Sequence, residues 1–292
     1  AWRICVSTGP EKWPGTCETG KKQSPINIKM AETEYANMDP FKLTNYDKMP
    51  TANYTVKNNG HTLQVDFSEK FFNVSGGGLK GVYTTVQYHL HWGSVESKGS
   101  EHTMENKAYP AEIHFVSYNT KYPDIGTAVA KPDGLAVLGV FIEVGGDDNP
   151  AYGFLKYAKN VITIMISILT ESSMPIMPFK LKPTLPETVG KFFRYSGSLT
   201  TPGCNEIVTW TVFKDSVKIS EDQMKYLRML KFNDNSTMVN NYRPVQDLYG
   251  RAVKNSFQEI MKTTPTASAG ASIIDISVGL FSLMLLTALF GR

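Results

Sequence analysis

The chain has 292 residues, 41% hydrophobic and 20% charged, and its 30 Lys and Arg against 27 Asp and Glu leave a net charge of +3. So small and scattered a charge excludes a nucleic-acid binder, and three cysteines, Cys5, Cys17 and Cys204, exclude a disulfide-dense miniprotein. Nothing marks a linker between Gln23 and Gln258, so one large core is expected.

Residues 1–22 are rich in Gly, Pro and Trp and read as an irregular N-terminal arm. The sequence opens on Ala1 without a charged-then-apolar leader, which reads as a secretory peptide already removed. From Ser24-Pro25-Ile26-Asn27-Ile28 onward, short strands alternate with turn signals at Asn58-Asn59-Gly60, Gly76-Gly77-Gly78, Pro132-Asp133-Gly134 and Gly145-Gly146-Asp147. Leu135 to Val144 is a continuous apolar run, the pattern of a strand covered on both faces. Tyr152 to Ser167 reads as a helix leading into an extended piece. Ser220 to Leu230 reads as a capped surface helix, with Glu221 and Asp222 in its first turn. The expected fold is α+β, a single domain over 23–260 built on a large, mostly antiparallel twisted β-sheet with peripheral helices.

Beyond it, 261–292 holds a small polar run, Thr263 to Ser272, and an apolar tail, Ile276 to Phe290. The tail is shorter than the ~20 residues a helix needs to cross a bilayer. That arrangement is the signal for a GPI anchor, with attachment at Ser268, Ala269 or Gly270. A single-span membrane protein is the alternative; an amphipathic packing helix fits less well because the tail has almost no polar face. Sequons at Asn53, Asn73 and Asn235 point to glycosylation and, with the tail, to the outer cell surface.

The chemistry concentrates in Gln87-Tyr88-His89-Leu90-His91-Trp92-Gly93. On a strand, Gln87, His89 and His91 share one face and Tyr88, Leu90 and Trp92 the other. Glu112 and His114 repeat the pattern in Ala111-Glu112-Ile113-His114-Phe115-Val116, and an antiparallel neighbour would bring the third imidazole beside the first two. A lone strand histidine is commonly a satisfied core residue, but the chain has only five, His61, His89, His91, His102 and His114, all in three short stretches. Three protein ligands with a fourth position open is the arrangement of a catalytic zinc, whose bound water ionises near pH 7. Gln87 and Glu112, each two residues before a ligand, are spaced to fix imidazole tautomers, and Glu101 to accept a proton or fix a hydroxyl.

His-Leu-His-Trp-Gly at 89–93, Ser-Glu-His-Thr at 100–103, Glu-Ile-His-Phe-Val at 112–116, Asp-Gly-Leu-Ala-Val at 133–137 and Ser-Leu-Thr-Thr-Pro-Gly-Cys-Asn-Glu at 198–206 resemble the α-class carbonic anhydrases. Gln-Ser-Pro-Ile-Asn-Ile at 23–28 and Asn-Asn-Gly-His at 58–61 extend the likeness, which covers about residues 13 to 258. The tail and the cysteine placement resemble the membrane-anchored type IV branch. This family is itself the reference case for an acidified zinc-bound water.

The resemblance implies one Zn2+ per chain on His89, His91 and His114, and reversible hydration of CO2 to bicarbonate and a proton. It implies that Thr200 accepts the proton of the zinc-bound hydroxide and donates its own to Glu101. An apolar wall for CO2 falls on Val116, Val137, Leu199, Val208 and Trp210, with Thr201 lining the same pocket and Asn241 partnering His91. His61 falls at the proton-shuttle position. Release to water alone, from an acid of pKa about 7, allows only ~10^3 turnovers per second, against ~10^6 for this family, so a relay is needed. Cys17 and Cys204 match a disulfide that ties the arm to the active-site loop, leaving Cys5 free, paired between chains or competing for Cys17. The implied location is the outer face of the plasma membrane, with a bicarbonate transporter as an unidentified partner. A catalytically silent binding module is the competing class; such members lose a zinc histidine, and this chain keeps all three. A zinc peptidase fits worse, since no His-Glu-x-x-His helix is present.

Overall fold

Alternate residues of the central strands feed two apolar layers, one on each face of a single sheet. The structure is a computed structural model describing residues 9–162 and 172–258, all within one contact unit, Ala1–Gln258. Cys5 and the tail from Glu259, with the anchor signal and its sites Ser268, Ala269 and Gly270, lie outside the described residues.

The strands are β1 (Asn27–Ile28), β2 (Thr33–Tyr35), β3 (Lys42–Thr44), β4 (Tyr54–Asn58), β5 (Leu63–Phe67), β6 (Phe72–Ser75), β7 (Tyr83–Trp92), β8 (Thr103–Met104), β9 (Ala111–Asn119) and β10 (Leu135–Val144). They continue with β11 (Ser172–Ile176), β12 (Phe192–Gly197), β13 (Val208–Phe213), β14 (Val217–Ile219) and β15 (Val253–Asn255). Thirteen of them form one sheet in the order β11-β4-β5-β7-β9-β10-β13-β12-β15-β2, with β14 on β10 and β3 reaching β7 through β6. Most pairings are antiparallel; β10 with β13 and β14, and β15 with β2, are parallel, so the expected sheet is a mixed one.

On β9 and β10, Ile113, Phe115, Leu138 and Val140 join Tyr88, Leu90 and Trp92 of β7 in the larger core. Val116, Val137 and Phe141 turn to the other face with Val208, Trp210 and Val212 of β13. Every residue of β9 is buried, so the two strands that bracket it hold their register against a large apolar penalty for slipping. β10 spans the run expected from sequence, Leu135–Val144.

Short helices sit at the periphery: α1 (Thr16–Thr19), α2 (Ile125–Ala128) and α3 (Glu221–Arg228). α3 begins with a capping box, Ser220 Oγ accepting from Gln223 N at 3.0 Å while Gln223 Oε1 accepts from Ser220 N at 3.2 Å, and it buries Met224 and Leu227. The helix expected over Tyr152 to Ser167 is instead a run of 3-10 turns, Pro150–Asn160, broken at Tyr152, and residues from 163 fall outside the described part. Gly153 in its middle costs an α-helix about 1 kcal/mol relative to Ala. The arm is not wholly irregular either, since Pro10–Lys12 forms a 3-10 turn ahead of α1.

Candidate metal centre

Antiparallel pairing of β7 with β9 sets His89 opposite His114 and His91 opposite Glu112. The ligand nitrogens of His89, His91 and His114 lie within 4.8 Å of one another, and their ring centroids are 4.7 to 5.4 Å apart. The site thus stands on two long central strands, β7 of ten residues and β9 of nine.

Each ring is held by its other nitrogen. His89 Nδ1 bonds Gln87 Oε1 at 3.0 Å, His91 Nδ1 bonds the Asn241 carbonyl at 2.8 Å, and His114 Nε2 bonds Glu112 Oε1 at 2.8 Å. His89 and His91 therefore offer a metal Nε2, and His114 offers Nδ1. Burial lowers the pKa of His89 and of His91, keeping both rings neutral at pH 7, the form that ligates.

Glu112 is the hub beneath them. Its Oε1 also accepts from His102 Nδ1 at 2.7 Å, and its Oε2 accepts from the backbone N of Glu101 at 2.9 Å and of His102 at 2.8 Å. Burial alone would raise its pKa; His102 and His114, with their hydrogen bonds, more than offset that and hold the carboxylate well below its ordinary value. Gly139 on β10 makes room for it: a Cβ there would come within 3.0 Å of Glu112 Oε1. His102 Nε2 in turn lies 2.6 Å from the Tyr195 hydroxyl, which bonds Ser24 Oγ at 2.9 Å. Sequence reasoning missed His102, Tyr195 and Ser24 as members of this network; the only available signal was that His102 adjoins Glu101.

Glu101 is buried, and its Oε1 accepts from Arg243 N at 2.8 Å. Its Oε2 has no hydrogen-bond partner among the described residues and lies 3.5 Å from His91 Nε2 and 3.8 Å from His114 Nδ1. An orphaned carboxylate oxygen beside two of the three imidazoles fits a cation and a polarised hydroxyl there. The expected hydrogen bond from Thr200 to Glu101 is not formed, although Thr200 is only 4% exposed; the carboxylate oxygen open to it is turned toward the histidines.

Val116, Val137 and Trp210 are cross-strand neighbours on β9, β10 and β13, with Val208 opposite Leu135 in the same layer and Leu199 packed against it. Thr201, half-buried, follows Thr200 in the loop between β12 and β13. His61 occupies the turn after β4, where Gly60, at φ 84°, faces Asn233 so closely that a Cβ would come within 1.8 Å of its Oδ1. Asn59 Oδ1 accepts from His61 N and Thr62 N at 3.1 and 3.0 Å, and Asn241 Nδ2 donates to the His61 carbonyl at 2.9 Å. Asn241 thus ties the His61 turn to the His91 ring, using its backbone carbonyl for the ring. Cys17 and Cys204 are disulfide-bonded.

Over residues 8–257 the sequence matches the family described as eukaryotic-type carbonic anhydrase. The chain belongs to that family. It is similar to carbonic anhydrase 7 of Mus musculus, 40% identical over 267 residues, and to carbonic anhydrase 7 of Homo sapiens, 39% identical over the same length, each match covering 88% of this chain and 97% of the relative. A carbonic anhydrase is a zinc lyase that hydrates CO2 reversibly, and the histidine triad is its candidate zinc site here. The expected outer-surface, GPI-anchored type IV identity is corrected by these relatives, which are carbonic anhydrase 7 over nearly their whole length. No helix among the described residues is long and apolar enough to cross a membrane. The comparisons support no glycans either. Asn53 and Asn235 are exposed, whereas Asn73 Oδ1 accepts from Thr84 Oγ1 at 2.8 Å within the sheet.

Glu112→Gln tests the hub of this carbonic anhydrase. An amide NH2 must face at least one of the N–H donors converging on the carboxylate, stranding a buried donor. Unfolding free energy should fall by about 3 kcal/mol, measured by denaturant titration. Zinc affinity should fall by about 10–100-fold, measured by competition with a chelator.

Proposed function

We propose that His89 Nε2, His91 Nε2 and His114 Nδ1 hold the zinc of this carbonic anhydrase, within a catalytic domain over 23–260 to which the arm 1–22 is tied by the disulfide. The observation that carries this reading is the register that sets His89 against His114, with His91 two residues on. When bound there, zinc supplies the Lewis acidity that lets a water lose its proton near neutral pH. Gln87, Asn241 and Glu112 fix the three ring tautomers, so the neutral imidazoles need not reorganise. A turn of the Glu101 carboxylate away from His91 and His114 would let Oε2 accept from the Thr200 hydroxyl, leaving the Thr200 oxygen to accept from the nucleophile and aim it. Val116, Val137, Leu199, Val208 and Trp210 exclude water from a niche suited to an uncharged linear molecule, and Thr201 borders it.

His61 carries the proton outward. Burial lowers its pKa to about 4, so at pH 7 the ring is neutral and able to accept. Charging it where it sits is unfavourable, so the ring holds a proton only briefly before handing it to buffer. The sign for stability follows: the unfolded chain binds the His61 proton more readily, so this contribution is full above about pH 6.5 and declines as pH falls toward 4. An NMR titration of the His61 ring should show a midpoint below 6.5.

Stopped-flow CO2 hydration on the purified protein, with zinc determined on the same sample, tests the reading. Fast hydration at one zinc per chain is expected. His61→Ala should slow it more than ~10-fold in weak buffer, with partial rescue by imidazole. Full zinc occupancy without hydration would favour the silent binding module, and an unchanged rate in weak buffer would remove His61 from the relay.

A further inference from the structure

Arg194 on β12 lies between Thr211 of β13 and Lys254 of β15 in the cross-strand register, so the three side chains share one face. That face is opposite the one carrying Trp210 and the metal centre, because Trp210 pairs with the next residue, Tyr195. Arg194 is only 7% exposed. Its Nε and Nη2 donate to Thr211 Oγ1 at 3.3 and 2.8 Å, and Nη1 makes no hydrogen bond among the described residues. The rings of Phe41 and Phe192 lie 5.9 and 5.4 Å from the guanidinium, but no carboxylate among the described residues pairs with it. Burial lowers its pKa to about 10, so it is still charged at pH 7. A buried cation without a counter-ion is unfavourable, and a second cation directly opposite, Lys254, adds repulsion. Glu34, across from Lys254 on β2, makes no ion pair among the described residues.

A cavity of about 330 Å3 opens at this point, lined by Lys80, Tyr83, Ser196 and Thr209 besides Arg194 and Lys254. Asp133 borders it too, but its carboxylate is already engaged by Lys121 Nζ and by the Tyr122 hydroxyl at 2.8 Å. Three cations and several hydroxyls therefore face a polar space in which the acid is already spoken for. We propose that this cavity binds a phosphate-type oxyanion, free or as a phosphomonoester, held between Arg194 and Lys254. The unused Nη1 matches an oxyanion acceptor, the Ser196 and Thr209 hydroxyls can donate to further oxygens while Tyr83 donates to the Asp133 carbonyl, and the volume leaves room for an ester group.

The test is thermal unfolding of the zinc-loaded full chain in inorganic phosphate against chloride at matched ionic strength. A dose-dependent rise in Tm with half-effect at about 1–10 mM is expected. Arg194→Gln and Lys254→Glu should each abolish the rise, and Lys254→Glu, an exposed change on the far face, should leave CO2 hydration unchanged. If Arg194→Gln does not fold, Lys254→Glu decides alone. Glycerol 3-phosphate then separates the sources: a half-effect at lower concentration than phosphate identifies an ester ligand, a higher one the free ion. No rise in the unmodified chain, or the same rise in Lys254→Glu, would overturn the proposal, the latter by locating the phosphate elsewhere.

Discussion

His91→Ala is expected to lower bound zinc from one per chain to less than about a tenth, and CO2 hydration by ~10^3-fold or more, because the metal supplies the reactive water. The loss should exceed that of Glu112→Gln because it removes a donor outright, leaving two imidazoles where a catalytic zinc takes three protein ligands. It also leaves the Asn241 carbonyl without its 2.8 Å partner and Glu101 Oε2 without the nearest imidazole nitrogen. The stability cost is that of one unsatisfied buried acceptor, about 1–3 kcal/mol, so the variant should fold. Far-UV circular dichroism and Tm on the same preparation separate the two effects: a folded, zinc-poor, inactive protein is the expected result. Full zinc content with undiminished hydration would mean that catalysis does not run through this triad.

How legible such a site is depends on how local its parts are. The period-2 pattern of Gln87, His89 and His91, and of Glu112 and His114, could be read directly, and so could β10, whose apolar run has Gly134 before it and Gly145 after it. The α3 cap was equally local, Ser220 and Gln223 lying three residues apart. By contrast, His102 meets Tyr195 across 93 residues and Tyr195 meets Ser24 across 171, and nothing in a strand pattern forecasts which buried polar groups will find each other. Arg243 is similar: its backbone N reaches Glu101, and its guanidinium bonds Gln23 Oε1 and the carbonyls of Ser24 and Cys17, yet in sequence it is one basic residue before a proline. His61 shows a subtler gap. Its position in the turn was legible, but the burial that takes its pKa from 6.5 to about 4 depends on what packs around it. The branch within the family was misread because a short apolar tail and the placement of two cysteines are few and local signals, whereas a match at 39–40% identity that covers 97% of each relative draws on the whole catalytic domain.

Reducing the Cys17–Cys204 disulfide is expected to destabilise the protein by about 5 kcal/mol. The bridge closes a sequence separation of 187 residues, and the loop entropy returned to the unfolded chain rises with the logarithm of that length. At this chain size about 1 kcal/mol shifts Tm by about 2–4 °C, so a fall of about 10–20 °C should follow, measured by calorimetry with and without a phosphine reductant. The local consequences reach the site, because the bridge joins two anchored segments. The Cys17 carbonyl accepts from Arg243 Nη2 at 3.0 Å, and the Cys204 carbonyl accepts from Gln23 Nε2 at 3.1 Å. Arg243 N holds Glu101 Oε1, and Cys204 closes the loop that begins at Thr200 and Thr201. Loosening the arm should therefore lower hydration as well as Tm, whereas zinc content should hold, since the bonds that orient the three rings come from Gln87, Asn241 and Glu112. Cys17→Ser and Cys204→Ser should behave alike if the bond itself is responsible. A Tm unchanged within about 2 °C after reduction verified by thiol alkylation would mean that the arm is held by Arg243 and Gln23 without the disulfide.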